Sequence, residues 1–387
     1  MAMAYTPGLK RKTVTLITKV RKLPIQGEVL VKEGARVAYD TPIARTNLPG
    51  KINVLNAATL LELGTSTGEF EEERVSIGLS KYMLKKMGDP VEKGDVIARR
   101  TAFFGLFHKE CRSPIKGSLD YFSDVTGQIL LREPPLPLNI NAYIPGTVTQ
   151  VLPGEGVVIE TPAALLQGIF GIGGETHGEI KMLDTSQDGV LTEDQLTTEC
   201  AGKIVVGGSN VDASTLRKAL EVGVKGIVVG GIRDADLSDF LGYDIGVAIT
   251  GEEHKGLTLI LTEGFGKMTM AAKTFNFLKA FAGKLACING ATQIRAGVIR
   301  PEIIIPLKEV PGDWSGDEEV LLEEGLKQGL PVRIIGPPYF GVLGHVTCLP
   351  IDLQTVETES EVRVLEVELE DTRRVIVPRA NVELIEE

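Results

Sequence analysis

The feature that most constrains this chain is a pattern that occurs twice. Lys32-Glu33-Gly34-Ala35-Arg36-Val37 leads, after five residues, to Ile43-Ala44-Arg45-Thr46, and at an offset of 54 Gly88-Asp89-Pro90-Val91 leads to Ile97-Ala98-Arg99. Each copy sets glycine at a tight turn and follows it with a half-buried strand ending in Ile-Ala-Arg. A second pair keeps its glycines at a spacing of ten: Gly117 to Gly127, entering Gln128-Ile129-Leu130-Leu131, and Gly146 to Gly156, entering Val157-Val158-Ile159. Short strands with turn signals at this spacing predict a small, closed all-β unit. With 44 glycines and only 5% aromatic residues, the composition also favours strands and tight turns over helical bundles.

Gly88-Asp89-Pro90-Val91-Glu92-Lys93-Gly94-Asp95-Val96-Ile97-Ala98 resembles the strand pair of biotinyl and lipoyl carrier domains, and Arg112-Ser113-Pro114-Ile115-Lys116-Gly117 is similar to the strand after the carrier hairpin. The resemblance implies a barrel-sandwich hybrid over about 130 residues. In carriers the modified lysine stands in a Met-Lys-Met hairpin tip. Here Leu106 occupies that position, within Phe103-Phe104-Gly105-Leu106-Phe107-His108, and Lys109 and Lys116 lie off the tip. The scaffold is expected without its cofactor. Phe103, Phe104 and Phe107 form an exposed docking tip or pack inside.

From Gly202 the texture changes. Lys203-Ile204-Val205-Val206-Gly207-Gly208 reads as a buried strand, and Val211 to Val222 as a helix with Leu216, Ala219 and Leu220 on one face and Asp212 or Ser214 at its start. Gly226-Ile227-Val228-Val229-Gly230-Gly231 is the next strand, so the segment is a βαβ unit. Further elements are a short helix over 236–241, strands over 244–250 and 257–262, a helix over 268–282 and a strand at Ile303-Ile304-Ile305. In an open α/β sheet, ligands bind beyond the carboxyl ends of the strands. Those ends carry Gly207, Gly208, Ser209, Asn210, Gly230, Gly231, Arg233, Asp234, Glu263 and Gly264, which are the candidate ligand-binding residues. The alternative is that the glycines only close short turns and Asp234 caps a helix.

Other motifs are incomplete. Gly168 to Gly178 is glycine-rich and holds His177, but a strand over 179–183 follows where a phosphate loop needs a helix. Asp184-Thr185-Ser186-Gln187-Asp188-Gly189 fits part of a calcium loop, yet Gln195 stands where the bidentate glutamate belongs. Arg295 and Arg300 either clamp an anion or form ion pairs with this acidic chain. The four cysteines, Cys111, Cys200, Cys287 and Cys348, stand singly, which suggests neither a zinc site nor a disulfide framework and fits a reducing compartment. No Ser–His–Asp order or paired-carboxylate signature occurs, so catalytic residues are not assigned and an enzyme is not favoured.

Residues 308–330, with Trp314, read as a linker. Pro331-Val332-Arg333-Ile334-Ile335-Gly336-Pro337-Pro338-Tyr339-Phe340-Gly341-Val342-Leu343-Gly344-His345-Val346 is similar to the KOW motif of SH3-like barrels in transcription-elongation and ribosomal proteins. From Thr355 onward ten acidic and four basic residues oppose RNA binding, as does a net charge of −11. The N-terminal segment has six basic residues before Leu23 but no apolar signal-peptide core. It reads as a basic strand pairing with acidic neighbours, or as a contact arm.

The fold expected is therefore multi-domain α+β: an all-β barrel-sandwich hybrid region (1–183), a central α/β open-sheet domain (184–307), a linker (308–330) and a KOW-like SH3 barrel (331–387). The expected function is that of a non-catalytic, cytoplasmic scaffold or adaptor with protein partners. It carries no cofactor or metal, inserts in no membrane and does not bind nucleic acid. One alternative is an α/β-domain enzyme or sensor for a small anionic ligand or nucleotide. Another is a transcription- or translation-associated factor acting through the KOW-like barrel.

Overall fold

The computed structural model describes residues 9–63, 78–102, 107–183, 186–243, 256–292, 299–308, 327–335, 338–339, 342–350, 353–355, 361–369 and 372–384. Strands predominate over helices, and the class is α+β, mostly β.

The N-terminal part is two β units, one nested inside the other. The outer unit comprises β1 (Arg11–Lys22), β2 (Glu28–Val29), β3 (Arg36–Val37) and β4 (Pro42–Leu48). The inner unit follows as β5 (Ile52–Asn56), the four-residue helix α1 (Ala57–Leu60), β6 (Pro90–Val91), β7 (Val96–Ala102), β8 (Phe107–Arg112), β9 (Gly117–Phe122) and β10 (Gln128–Arg132). Only then does the outer unit resume, with β11 (Leu136–Asn141), β12 (Gly146–Leu152) and β13 (Gly156–Gln167). Strand β11 pairs with β4 and β12 with β3, as β8 pairs with β7 and β9 with β6.

The repeat extends to single hydrogen bonds. Gly34 N–H donates to Val148 O and Gly88 N–H to Leu119 O, both at 2.8 Å; Leu30 N–H donates to Ile43 O and Leu84 N–H to Ile97 O, also at 2.8 Å. The ladders slip by one residue at Ile43 and Ile97, and again at Thr149 and Asp120. A bulge of this kind re-aims a side chain, and both isoleucines end fully buried. Each unit thus has its own core. Ile43, Ile144, Val148 and Ile159 fill the outer one, and Ile97, Leu119, Ile129 and Leu131 the inner one. Full burial of each such side chain is worth about 1.5–3 kcal/mol.

The central sheet continues from the outer unit without a break. After β14 (Phe170–Ile172) come β15 (Glu175–Met182), β16 (Ile204–Val206), β17 (Asn210–Val211), α2 (Ala213–Val222), β18 (Gly226–Ile232), α3 (Asp234–Leu241), β19 (Thr258–Phe265), α4 (Ala272–Ala280), β20 (Leu285–Asn289) and β21 (Glu302–Pro306). The order is β14-β19-β18-β16-β15-β20-β21-β13-β12-β3, with β15, β16, β18 and β19 parallel. Residue 183 therefore lies between β15 and β16 of one sheet, and β13 hydrogen-bonds to β21 across the division expected there.

Local chemistry explains these elements. Ile204–Val206 and Gly226–Ile232 are wholly buried apolar runs, as strands covered on both faces require. Asp212 caps α2 by accepting from Thr215 N–H, and Gly223, at φ 86°, ends it. The strand expected over 244–250 lies outside the described residues.

The C-terminal unit is an antiparallel sheet in the order β27 (Arg374–Pro378), β26 (Val364–Leu369), β23 (Leu343–Cys348), β22 (Pro331–Ile334), β28 (Val382–Leu384). The short pair β24 (Gln354–Thr355) and β25 (Glu361–Val362) stands apart. Val332, Ile334, Leu365 and Val367 form its core, while Ile335 joins the core of the central sheet. Gly336, Pro337, Phe340 and Gly341 of the KOW-like segment, and residues 309–326 of the linker expected over 308–330, lie outside the described residues.

Candidate functional site

The strand ends of the central sheet are filled by the chain itself. Gly207 N–H donates to Val228 O at 3.0 Å, Gly230 N–H to Gly208 O at 2.9 Å and Gly231 N–H to Ser209 O at 2.7 Å. Ser209 is buried, and its hydroxyl donates to Asp188 O at 2.9 Å. A Cβ at Gly208 would stand 2.6 Å from Gly189 O, and one at Gly231 2.9 Å from Gly264 O; at Gly230 it would overlap Met268 O. These glycines admit the backbone of 186–191 and 266–271 against the strands, which is the close approach that glycine alone permits. Gly264, at φ 137°, lies within β19.

The charged candidates part company. Arg233 is exposed and pairs with Asp236 at 2.6 Å, and Asp234 is exposed in the first turn of α3 rather than at its cap. Glu263 is buried. Its Oε1 accepts from Ala271 N–H at 3.0 Å and its Oε2 from Arg333 Nη2 at 2.5 Å. Asn210 is buried too, with Oδ1 unpartnered. Ser209, Asn210, Gly231, Glu263 and Gly264 are thus brought together, and Arg233 and Asp234 face solvent.

Arg333 leads to a buried ionic chain. It stands opposite Glu383 in the β22–β28 ladder, and Glu383 Oε2 lies 3.1 Å from Arg300 Nη1 without the alignment of a hydrogen bond. Burial pushes the Glu383 carboxyl above its ordinary range, against the opposing pull of Arg300, Arg333 and the Leu9 N–H. Arg300 therefore forms a buried ion pair, while Arg295 lies outside the described residues. Arg333 and Glu383 were missed from sequence, although each is a lone charge inside an apolar strand, Val332-Arg333-Ile334 and Val382-Glu383-Leu384.

A second polar seam joins β1 to the central sheet. Lys19 pairs with Glu302 at 2.6 Å, Arg21 with Glu175 at 2.5 Å and Lys22 with Glu155 at 2.8 Å, so the basic strand meets acidic neighbours. Tyr143, buried at φ 70°, donates its hydroxyl to Glu302 at 3.2 Å beneath the Arg21 guanidinium. Burial first, and then Glu302 and Glu175, hold its phenol well above the ordinary range, so it stays protonated. Nothing in the local sequence marks Tyr143, whose role follows from nesting.

The remaining motifs resolve locally. Gly173 and Gly174, at φ 97° and 69°, turn the chain from β14 into β15, and His177 stacks on Tyr39 at 3.8 Å. Burial lowers the His177 pKa. Gln195, at the twelfth position of the calcium-like loop, accepts from Thr192 N–H in a capping box, and Asp184 and Thr185 lie outside the described residues. Among the described residues no group of three or more His, Cys, Asp or Glu is placed to hold a metal. Cys111, Cys200 and Cys287 are buried and Cys348 is exposed; burial pushes Cys111 up to about 11 and Cys287 to about 12. Phe103, Phe104 and Leu106 lie outside the described residues, and Lys109 and Lys116 are paired with Glu62 and Glu92. No described helix is long and apolar enough to cross a membrane. In comparison with known proteins, no protein-family model matches the chain and no curated protein matches it.

Proposed function

We propose that the protein is a non-catalytic scaffold or adaptor whose inner β unit is its presenting element. The observation that carries this reading is an outward apolar row across that unit. Val54, Leu130 and Tyr121 stand side by side on adjacent strands, with Val54 57% and Tyr121 50% exposed. An apolar row of this kind is what a protein partner covers. The likeness to a carrier hairpin with leucine at the acceptor position supports the same reading, because a barrel-sandwich hybrid without its lysine keeps only its surface. So does the way the strand ends spend Ser209 and Glu263 on the chain itself. The acidic C-terminal unit favours a protein over a nucleic acid.

The α/β-domain enzyme or sensor remains the second reading, on the strength of the buried, unpartnered Asn210 Oδ1. A photo-crosslinking residue at Val54 in the full chain, expressed in its own cells, separates the two. The scaffold reading expects one discrete protein adduct that Tyr121→Asp removes. It fails if no discrete adduct forms while a small-molecule thermal-shift screen yields a ligand sensitive to Ser209→Ala.

A further inference from the structure

The C-terminal unit rests on the carboxyl ends of the central sheet through Glu263, Arg333, Glu383 and Arg300. The pairing among them is incomplete. Arg300 Nη2, Arg333 Nε and Glu383 Oε2 have no hydrogen-bond partner, and their side chains are 7%, 6% and 2% exposed. An unsatisfied buried polar atom is costly, more so when charged, so two guanidinium nitrogens and a carboxylate oxygen left without hydrogen bonds in one buried network call for an occupant.

The charges identify its class. With Glu263 and Glu383 ionised, the two carboxylates and two guanidiniums sum to zero. An added anion alone would leave the site negative in a medium that punishes net charge. One proton on Glu383 restores neutrality and turns that carboxyl into a donor, giving the anion two guanidiniums and an O–H. We propose that a small monovalent inorganic anion binds between Arg300 and Arg333, taken up together with one proton on Glu383.

Burial already favours the protonated carboxyl. The groups that act on it are Arg300 and Arg333, with the Leu9 N–H, and Glu263 lies beyond Arg333. Because Arg333 and Glu383 belong to the C-terminal unit and Glu263 to β19, the anion would fasten that unit to the sheet. This goes beyond the scaffold reading and does not depend on it.

The test uses the full chain with chloride or nitrate as probe and gluconate holding ionic strength constant. Thermal stability and chloride-35 line width are read between about pH 5 and about pH 8. Saturable binding is expected, with Kd rising about tenfold per pH unit above the carboxyl's native pKa, since one proton accompanies each anion. Glu383→Gln, which keeps the neutral shape, should bind more tightly and lose the pH dependence; Arg300→Gln should lose saturable binding. Absence of saturable binding in both wild type and Glu383→Gln means that water alone fills the site and overturns the proposal. Wild-type pH dependence persisting in Glu383→Gln overturns it equally. Should Arg300→Gln fail to fold, the Glu383→Gln arm still decides.

Discussion

Removing Arg333 should be far more damaging than removing both members of its pair. Arg333 and Glu263 approach to 2.5 Å with side chains 6% and 10% exposed, so neither charge has bulk water to fall back on. Arg333→Met keeps much of the stem volume but leaves Glu263 with the Ala271 N–H as its other partner, at 3.0 Å. Breaking a buried pair from one side costs about 3–5 kcal/mol, whereas replacing both members by apolar residues of similar size is often near neutral. The double variant Glu263→Leu/Arg333→Met should therefore recover most of the loss, a coupling of about 2 kcal/mol or more. Urea denaturation of wild type, both single variants and the double, followed by circular dichroism, measures the cycle. A single-variant loss below about 1 kcal/mol, or a double equal to the sum of the singles, would show that the pair is solvated and the reasoning wrong.

Three other outcomes follow from the same geometry. Glu383 has a raised folded-state pKa, so the native protein binds the proton more tightly than the unfolded chain; stability is fullest below the ordinary carboxyl range and falls as pH rises toward the native value. In gluconate buffer, Glu383→Gln should flatten that slope in a pH series of melts. Gly230→Ala should cost about 1–3 kcal/mol by overpacking against Met268 O, with Gly88→Ala, whose Cβ meets nothing within 4 Å, as a comparison limited to its φ of 89°; equal losses would count against the packing account. Excising 49–135 and joining Leu48 to Leu136, which face each other across the neck, with a two-residue turn should leave the outer unit folded, as amide exchange protection of β4 and β11 would report.

Much of the architecture was legible because it is written in turns. Gly34 and Gly88 mark equivalent turns, and Asp212 and Gly223 bracket α2 where capping chemistry puts them. Nesting was also present in the sequence, in the unequal offsets: 54 between the first pair of motifs and 29 between Gly117 and Gly146. Two uninterrupted tandem copies would share one offset, whereas an order of outer, inner, inner, outer gives two, because the inner unit stands between the two halves of the outer one. Periodicity could not reveal it, since a strand's pattern says which face is buried and not which strand lies beside it. The site was harder. Glycines at strand ends serve a ligand or a neighbouring backbone equally well, and at Gly208, Gly230 and Gly231 the neighbour is backbone. Glu263 gave no sign that its partner would be Arg333, 70 residues away.

Nesting also fixes the order in which the molecule is finished. During synthesis the inner unit is the first part of the chain to possess all its strands, because β5 needs nothing beyond β10. The outer strands made before it stay unmatched: Arg11 waits for Leu166, and Ala163 in turn waits for Pro306. Contacts so distant along the chain close slowly, since the loop entropy is lost before the contact repays it. From the completion of β10 at Arg132 until β13 is made at Gln167, then, the nascent protein is a folded knob beside a long first strand whose edge still lacks its partner. The lysines and arginines along that strand keep such an edge from pairing with a stranger until its own partner emerges.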